Sequence, residues 1–372
     1  MDNNKIYIYA MYLPQYHEIP ENSQFWGKGF TDWVTVKKAK PLFDGHKMPK
    51  VPLDDNYYDL SKKESVKWQA DLAKKYGIDG FGIYHYWFSS KHNILTKPAE
   101  IILNNKDINI SYFYAWDNTS WKRTWSAVKG NDWAPSMDTN SDKTPNSSGI
   151  LIQYELGSVE EWDKHFYYLL PYFKDARYAR KNNMPVFMIF NYEDKLKEME
   201  KRWQALAKEN TLEGIYFIYR EDSIRSNAEN NSFDYEPIYA GWGSVSERIL
   251  LKLKSKVGIN ALQKYSYDKI WRRILDKARK DSNPDHYPGV FVSYDDTARR
   301  GKRGKIVIGG NPKKFYLYMR ELIKTCQENQ KDMIFLTAWN EWSEGAYLEP
   351  DTANGYGYLK ALHKAKKDNG LC

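Results

Sequence analysis

The 372-residue sequence predicts an α/β fold, a (β/α)8 TIM barrel with long loops on its C-terminal face, formed as a single domain over residues 1–372. Three observations carry that expectation. Short β-branched and aromatic runs recur along the whole chain. Stretches with apolar residues at i, i+3 and i+4 lie between them, which is the alternation of βα units. The runs also end in polar side chains, and in a barrel the C-terminal strand ends open onto the one face that holds the active site.

In chain order the predicted strands are 6–12 (IYIYAMY), 80–86 (GFGIYHY), 111–116 (SYFYAW), 185–192 (PVFMIFNY), 214–219 (GIYFIY), 237–242 (PIYAGW), 289–294 (GVFVSY) and 333–339 (MIFLTAW). The clearest helical spacings fall at 65–76, 159–170, 196–208, 267–278, 313–326 and 357–366. Strand three runs into Asp117 and Asn118, strand four into Asn191 and Glu193, strand seven into Asp295 and Asp296, and strand eight into Asn340 and Glu341. Helix N-caps and Asx turns favour the same residues, so each one by itself has a structural reading as well. Two long loops stand apart. Residues 13–60 carry Trp26 and Trp33 without a helical period and are expected to be ordered, because their aromatics would otherwise be exposed; residues 129–149, rich in Asn, Ser, Asp and Thr, are expected to be mobile.

Composition narrows the function. With 14 Trp, 30 Tyr and 15 Phe the chain is neither disordered nor of low complexity. The two cysteines, Cys326 and Cys372, cannot build a disulfide framework or a structural zinc site. Lys plus Arg exceeds Asp plus Glu by 56 − 48 = 8, yet the charge is scattered, and the densest run, 299–305, follows Asp295 and Asp296; a nucleic-acid surface needs a clustered stripe. No run approaches the roughly 18–20 apolar residues that span a bilayer. The N-terminus lacks the basic start and long apolar run of a signal peptide, so the expected location is cytoplasmic. Neither the G-x-x-x-x-G-K-[ST] nor the G-x-G-x-x-G signature of nucleotide sites is present, and no H-E-x-x-H or His cluster calls for a metal; no cofactor is implied.

The strongest chemical signal is TAWNEWSEGAYLEPD at 337–351. Glu341 and Glu344 stand three positions apart just past a strand end, interleaved with Trp339 and Trp342, with Asn340 between. Carboxyl pairs cleave or form glycosidic bonds, and indole faces pack on sugar rings, so the pattern suggests carbohydrate chemistry, against the alternative of solvated loop glutamates and core tryptophans. Tyr12, Gln15 and His17 after strand one, Tyr84, His85 and Trp87 at strand two, and Trp116 and Asn118 at strand three are the other candidate walls and donors. Tyr294 and Asp295 are candidate sugar contacts after strand seven. Arg299 and Arg300 either clamp an anionic group of a glycan or neutralise Asp295 and Asp296.

Several blocks, in order, resemble the WbsX-type proteins, which are similar to glycoside hydrolase family 99: residues 12–46, 76–88 (YGIDGFGIYHYWF), 151–154 (LIQY), 173–180 (FKDARYAR), 294–301 (YDDTARRG) and 338–351. The resemblance implies a (β/α)8 barrel and maps both catalytic carboxylates onto Glu341 and Glu344. It implies retention through the substrate's own 2-hydroxyl, with Glu341 as base and Glu344 as acid. It also leaves two readings of activity: an endo-acting glycoside hydrolase on a bacterial polysaccharide, or a glycosyltransferase of capsule or O-antigen assembly. The chain departs from relatives at AWDNTSW, where Thr119 replaces a Glu, and at 294–297, where YDDT stands for WDNT, so its sugar preference can differ.

Overall fold

The computed structural model of the protein describes residues 5–122, 150–224, 231–242 and 262–371. The β-branched and aromatic runs pair in parallel as β1 (Tyr7–Tyr12), β2 (Gly80–Ser89), β3 (Ser111–Trp116), β4 (Met184–Ile189), β5 (Tyr216–Arg220), β6 (Ser232–Phe233), β7 (His286–Tyr287, resuming at Gly289–Phe291) and β8 (Met333–Thr337). Pairing runs from β1 through β2, β3, β4, β5 and β6 to the first half of β7. The second half of β7 pairs with β8, and β8 returns to β1, with Tyr9 opposite Phe335. The ring is a (β/α)8 barrel. Pro288, which has no N–H for the ladder, divides β7, and its carbonyl accepts from the Phe335 amide at 3.1 Å. At Gly289 a Cβ would lie 1.8 Å from the Asp234 carbonyl oxygen, so only glycine lets β7 pass that close.

The helices are α1 (Pro20–Trp26), α2 (Asp32–Lys38), α3 (Lys63–Lys75), α4 (Lys97–Asn104), α5 (Val159–Phe173), α6 (Leu196–Glu209), α7 (Ile238–Gly241), α8 (Tyr267–Lys280), α9 (Thr297–Arg300), α10 (Pro312–Glu328) and α11 (Gly357–Asp368). All six helical spacings read from the sequence are helices. The long first loop is ordered, as expected, but holds α1 and α2, each seven residues and too short to show a period. Residues 129–149, expected to be mobile, lie outside the described residues.

One strand assignment is overturned. Residues 237–242 hold α7, not a strand, and the sixth barrel strand is Ser232–Phe233. A short apolar run does not distinguish strand from helix. Pro237 cannot donate to a ladder but suits a helix start, and the Glu236 carboxylate accepts from the Ala240 amide at 2.9 Å, fixing the turn.

Strand alternation decides what β2 offers to the site. Tyr84 meets Tyr235, whereas His85 and Trp87 point the other way onto α5, where His85 Nε2 lies 2.8 Å from His165 Nε2. Trp87 stacks on His165 at 4.3 Å. One imidazole of the pair must donate and the other accept, so they cannot both be protonated, and burial lowers both, His85 to about 3. Among the described residues no helix is long and apolar enough to cross a membrane.

Because the unfolded chain binds protons at these histidines below about 6.5 while the folded chain refuses them, their contribution to stability is present above pH 6.5 and is lost as the pH falls toward 3. His165→Phe leaves His85 without its partner and is expected to cost about 1–3 kcal/mol at pH 7.5. The variant should also lose less stability than the unaltered protein between pH 6.5 and 4.5; parallel urea midpoints for the two proteins over that range would contradict this.

Candidate functional site

Past the end of β8 the chain turns into a small hairpin, Asn340–Glu341 against Ala346–Tyr347, joined by a 3-10 turn over Trp342–Glu344. Gly345 closes the turn at φ 55°, in the left-handed region, and a Cβ there would fall 2.8 Å from Asp295 Cβ, so glycine is required on both counts. Four hydrogen bonds fix the hairpin to the chain at and just past the end of β1. Asn340 Oδ1 accepts from the Leu13 amide at 2.7 Å and Nδ2 donates to the Leu13 carbonyl at 3.0 Å. The Tyr16 hydroxyl donates to the Asn340 carbonyl at 2.5 Å and accepts from the Trp342 amide at 3.1 Å, so it grips the backbone on either side of Glu341.

Glu341 is buried. Burial pushes its carboxyl up to about 8, the Glu344 charge pushes it the same way, and Arg299 and the Tyr84 hydroxyl oppose them. Glu344 is less enclosed, with its side chain 14% exposed, and its Oε1 accepts from Arg299 Nη1 at 2.7 Å. Arg299 Nη2 in turn donates to Asp32 Oδ1 at 3.3 Å. Tyrosines wall this pair. Tyr84 and Tyr235 share a 2.6 Å hydrogen bond, and the carboxylate charges of the pair raise the hydroxyls of Tyr84, Tyr86, Tyr235 and Tyr294, after burial itself. A buried carboxyl pushed toward its neutral form, beside a partly exposed one bonded to a guanidinium, suits acid–base chemistry.

Beneath the hairpin lies a second polar layer. Glu349 Oε2 accepts from Trp342 Nε1 at 2.6 Å and from Tyr58 at 2.8 Å, Oε1 accepts from Gln69 at 2.8 Å, and Tyr12 donates to Gln69 at 2.6 Å. Trp342 also stacks on Tyr347 at 3.7 Å.

The structure gathers Tyr84, Tyr294, Asn340, Glu341 and Glu344 at one place, with Tyr12 and Trp342 in the supporting layer. His85, Trp87 and Trp116 pack against α5, with Trp116 4.9 Å from His165. Asn118 staples strand ends, exchanging hydrogen bonds of 2.7 and 2.8 Å with the Asn191 backbone. Gln15 reaches Asn22 at 3.5 Å, His17 is buried with its pKa lowered by desolvation, and Trp339 packs on Phe81. Asp295 turns to His46 Nε2 at 2.9 Å and to Thr297. Arg300 does neutralise Asp296, at 3.5 Å, but Arg299 goes to Glu344 and Asp32 instead. The sequence reading did not single out Tyr16, Asp32, Tyr86, Tyr235 or Gln69, whose roles depend on long-range pairing; Glu349 was within reach, inside the same quoted segment. Among the described residues no three His, Cys, Asp or Glu side chains are set to hold a metal ion.

Burial pushes the Glu349 carboxyl from 4.5 up to about 7. The folded chain therefore binds a proton between pH 7 and 4.5 that the unfolded chain does not, and this group adds stability as the pH falls through that window, roughly 3 kcal/mol in all. Glu349→Gln is expected to remove that gain, so that the urea midpoint of the variant rises less on going from pH 7.5 to 5; equal pH slopes would count against it.

Comparison with known proteins agrees with the barrel. The family model described as Glycosyltransferase WbsX matches residues 8–362. The uncharacterized protein WxcX of Xanthomonas campestris pv. campestris is 29% identical over 370 residues, covering 96% of this chain and 49% of WxcX; the chain thus spans about half the length of the curated relatives it matches. A glycoside hydrolase-like protein superposes with a TM-score of 0.59 at 16% identity over 98% of this chain and 95% of its own. The GH99 endo-alpha-mannosidase from Bacteroides thetaiotaomicron superposes with a TM-score of 0.54 at 13% identity, covering 100% and 98%. At such identities the likeness is one of fold. The match over nearly the whole chain shows that this protein belongs to the WbsX glycosyltransferase family.

Proposed function

We propose that the protein is a carbohydrate-active enzyme, a retaining and endo-acting glycoside hydrolase of a bacterial polysaccharide, with Glu341 and Glu344 as its catalytic residues. The observation that supports this best is the pair itself: two carboxyls just past the C-terminal end of β8, one buried and pushed up to about 8, the other partly open. A general base works best when its pKa lies near the working pH, which suits Glu341. As base, Glu341 takes the proton of the sugar 2-hydroxyl while that oxygen attacks the anomeric carbon. As acid, Glu344 gives a proton to the departing oxygen as the glycosidic bond breaks. Water then attacks the anomeric carbon of the resulting three-membered ring from the other side, giving a proton to Glu344 as Glu341 returns one to the 2-oxygen, so two inversions leave the configuration retained. Burial favours the neutral form of Glu341 in the free protein while Glu344 accepts from Arg299, so this reading requires a proton to pass from Glu341 to Glu344 after substrate enters.

Tyr84, Tyr86, Tyr235 and Tyr294 supply ring walls and hydroxyl donors around that centre. The family's description favours a second reading, transfer of a sugar in surface-polysaccharide assembly, which would go with a cytoplasmic location. Both readings take a glycan substrate and involve no nucleic acid, and among the described residues no helix is long and apolar enough to cross a membrane.

Glu341→Gln and Glu344→Gln are each expected to lower glycan cleavage by about 10²–10⁴-fold with little change in KM. Unchanged turnover in both variants would remove the pair from the mechanism. Calorimetric titration with nucleoside diphosphates separates the two readings: the hydrolase reading expects no heat, and micromolar binding would favour the transferase.

A further inference from the structure

Away from the glutamate pair, a cavity of about 450 Å³ lies between the turn at 53–57, α3 and the chain past β8. That is the size of a small-ligand site. Neither glutamate borders it, nor does any of the four tyrosines around them. Three half-buried aromatic rings do. Trp68, on α3, is tilted against Tyr58 at 6.1 Å, Tyr57 stands edge-on to Trp33 at 5.1 Å, and Tyr356 stacks on Tyr76 at 5.9 Å, so each is backed by another ring. The Lys37 ammonium already sits 3.9 Å from the centre of the Tyr57 ring, which leaves Trp68 and Tyr356 as the apolar surface.

Asp54, Asp55 and Asn56 supply the polar rim. Both aspartates are exposed and have left-handed backbone, at φ 58° and 51°. The turn is held by the Tyr57 amide, which donates to the Asp55 carbonyl at 2.7 Å, and by the Leu53 amide, which donates to the Pro350 carbonyl at 3.0 Å. Among the described residues no Lys, Arg or His nitrogen lies within 4.0 Å of either carboxylate, and neither accepts a hydrogen bond. Free carboxylates accept strong hydrogen bonds from sugar hydroxyls, and an indole takes the C–H face of the ring. Two unpaired negative charges also repel an anionic ligand.

We propose that this cavity is a second glycan-binding site, separate from the glutamate pair, which takes a neutral sugar unit with its C–H face on Trp68 and its hydroxyls on Asp54 and Asp55. The idea rests on the glycan reading of the protein but not on the roles of Glu341 and Glu344. One layer of side chains divides the two places: Tyr58, next to Tyr57, and Gln69, next to Trp68, both donate to Glu349, which holds the Trp342 indole. A polysaccharide held at both places leaves more slowly than one held at the pair alone.

Saturation-transfer NMR titration of the full chain tests this without turnover, using glucose, galactose, mannose and maltotriose, with glucuronate and galacturonate as charged counterparts of the first two. At least one neutral sugar should bind with a Kd below about 10 mM, and neither uronate should bind as tightly. Trp68→Ala should weaken that binding at least tenfold. Asp54→Asn combined with Asp55→Asn should weaken it at least threefold and narrow the gap to the uronates; asparagine accepts left-handed backbone, so this variant keeps the turn. Glu341→Gln should leave the binding unchanged. The proposal is overturned if no neutral sugar binds below that limit, if a uronate binds as tightly, if the binding is untouched by the Trp68 and aspartate substitutions, or if it is lost in Glu341→Gln. Should the binding behave as expected while Glu341→Gln and Glu344→Gln both cleave glycan normally, the catalytic reading fails and the second site stands.

Discussion

A carboxyl group cannot be buried beside another without one of them giving up its charge or finding a cation, and around Glu341 and Glu344 the protein does both. Glu341, the more deeply buried, is driven toward its neutral form by that burial and by the Glu344 charge. Glu344, closer to solvent, has Arg299. Each arrangement depends on the other: a charged Glu344 raises Glu341, and a neutral Glu341 leaves Arg299 to Glu344 and Asp32. The two carboxyls therefore sit in different environments, which is how paired acids take separate roles in acid–base chemistry.

Much of the C-terminal face can be understood as support for that pair. Tyr16 and Asn340 tie the hairpin to the end of β1 through the backbone on both sides of Glu341, and Gly345 lets the turn lie against Asp295. Asp32, on α2, orients the arginine from the opposite side. Glu349, Gln69, Tyr58 and Tyr12 form a hydrogen-bonded floor that anchors Trp342. A buried network of this kind is stabilising only when every member is satisfied, so it also restricts the hairpin to one position. The first long loop, which carries Tyr16, Asp32 and Tyr58, thus belongs to the site's scaffold and does not merely cover it.

The histidine pair on the outer face of β2 shows the same economy in reverse. His85 sits one residue from Tyr84, yet strand geometry sends it to α5, where it shares a proton with His165 among Trp87, Trp116 and Tyr168. Residues that look like sugar contacts in sequence are here a polar join between sheet and helix layer.

The sequence by itself determined the barrel and the pair. Periods of two and 3.6 are local properties, so seven of eight strands and six helices could be read from runs of a few residues, and Glu341 and Glu344 are fixed on one strand end by their spacing alone. It could not determine the phase of β2, because alternation says that Tyr84 and His85 face opposite ways but not which way is inward. Nor could it locate the sixth strand, where two residues hold the place and Pro237 begins a helix. The partners of Arg299 belonged wholly to the tertiary structure: Asp32 and Glu344 flank it in space while lying far from it along the chain, and only closure of the barrel brings α2, α9 and the hairpin together.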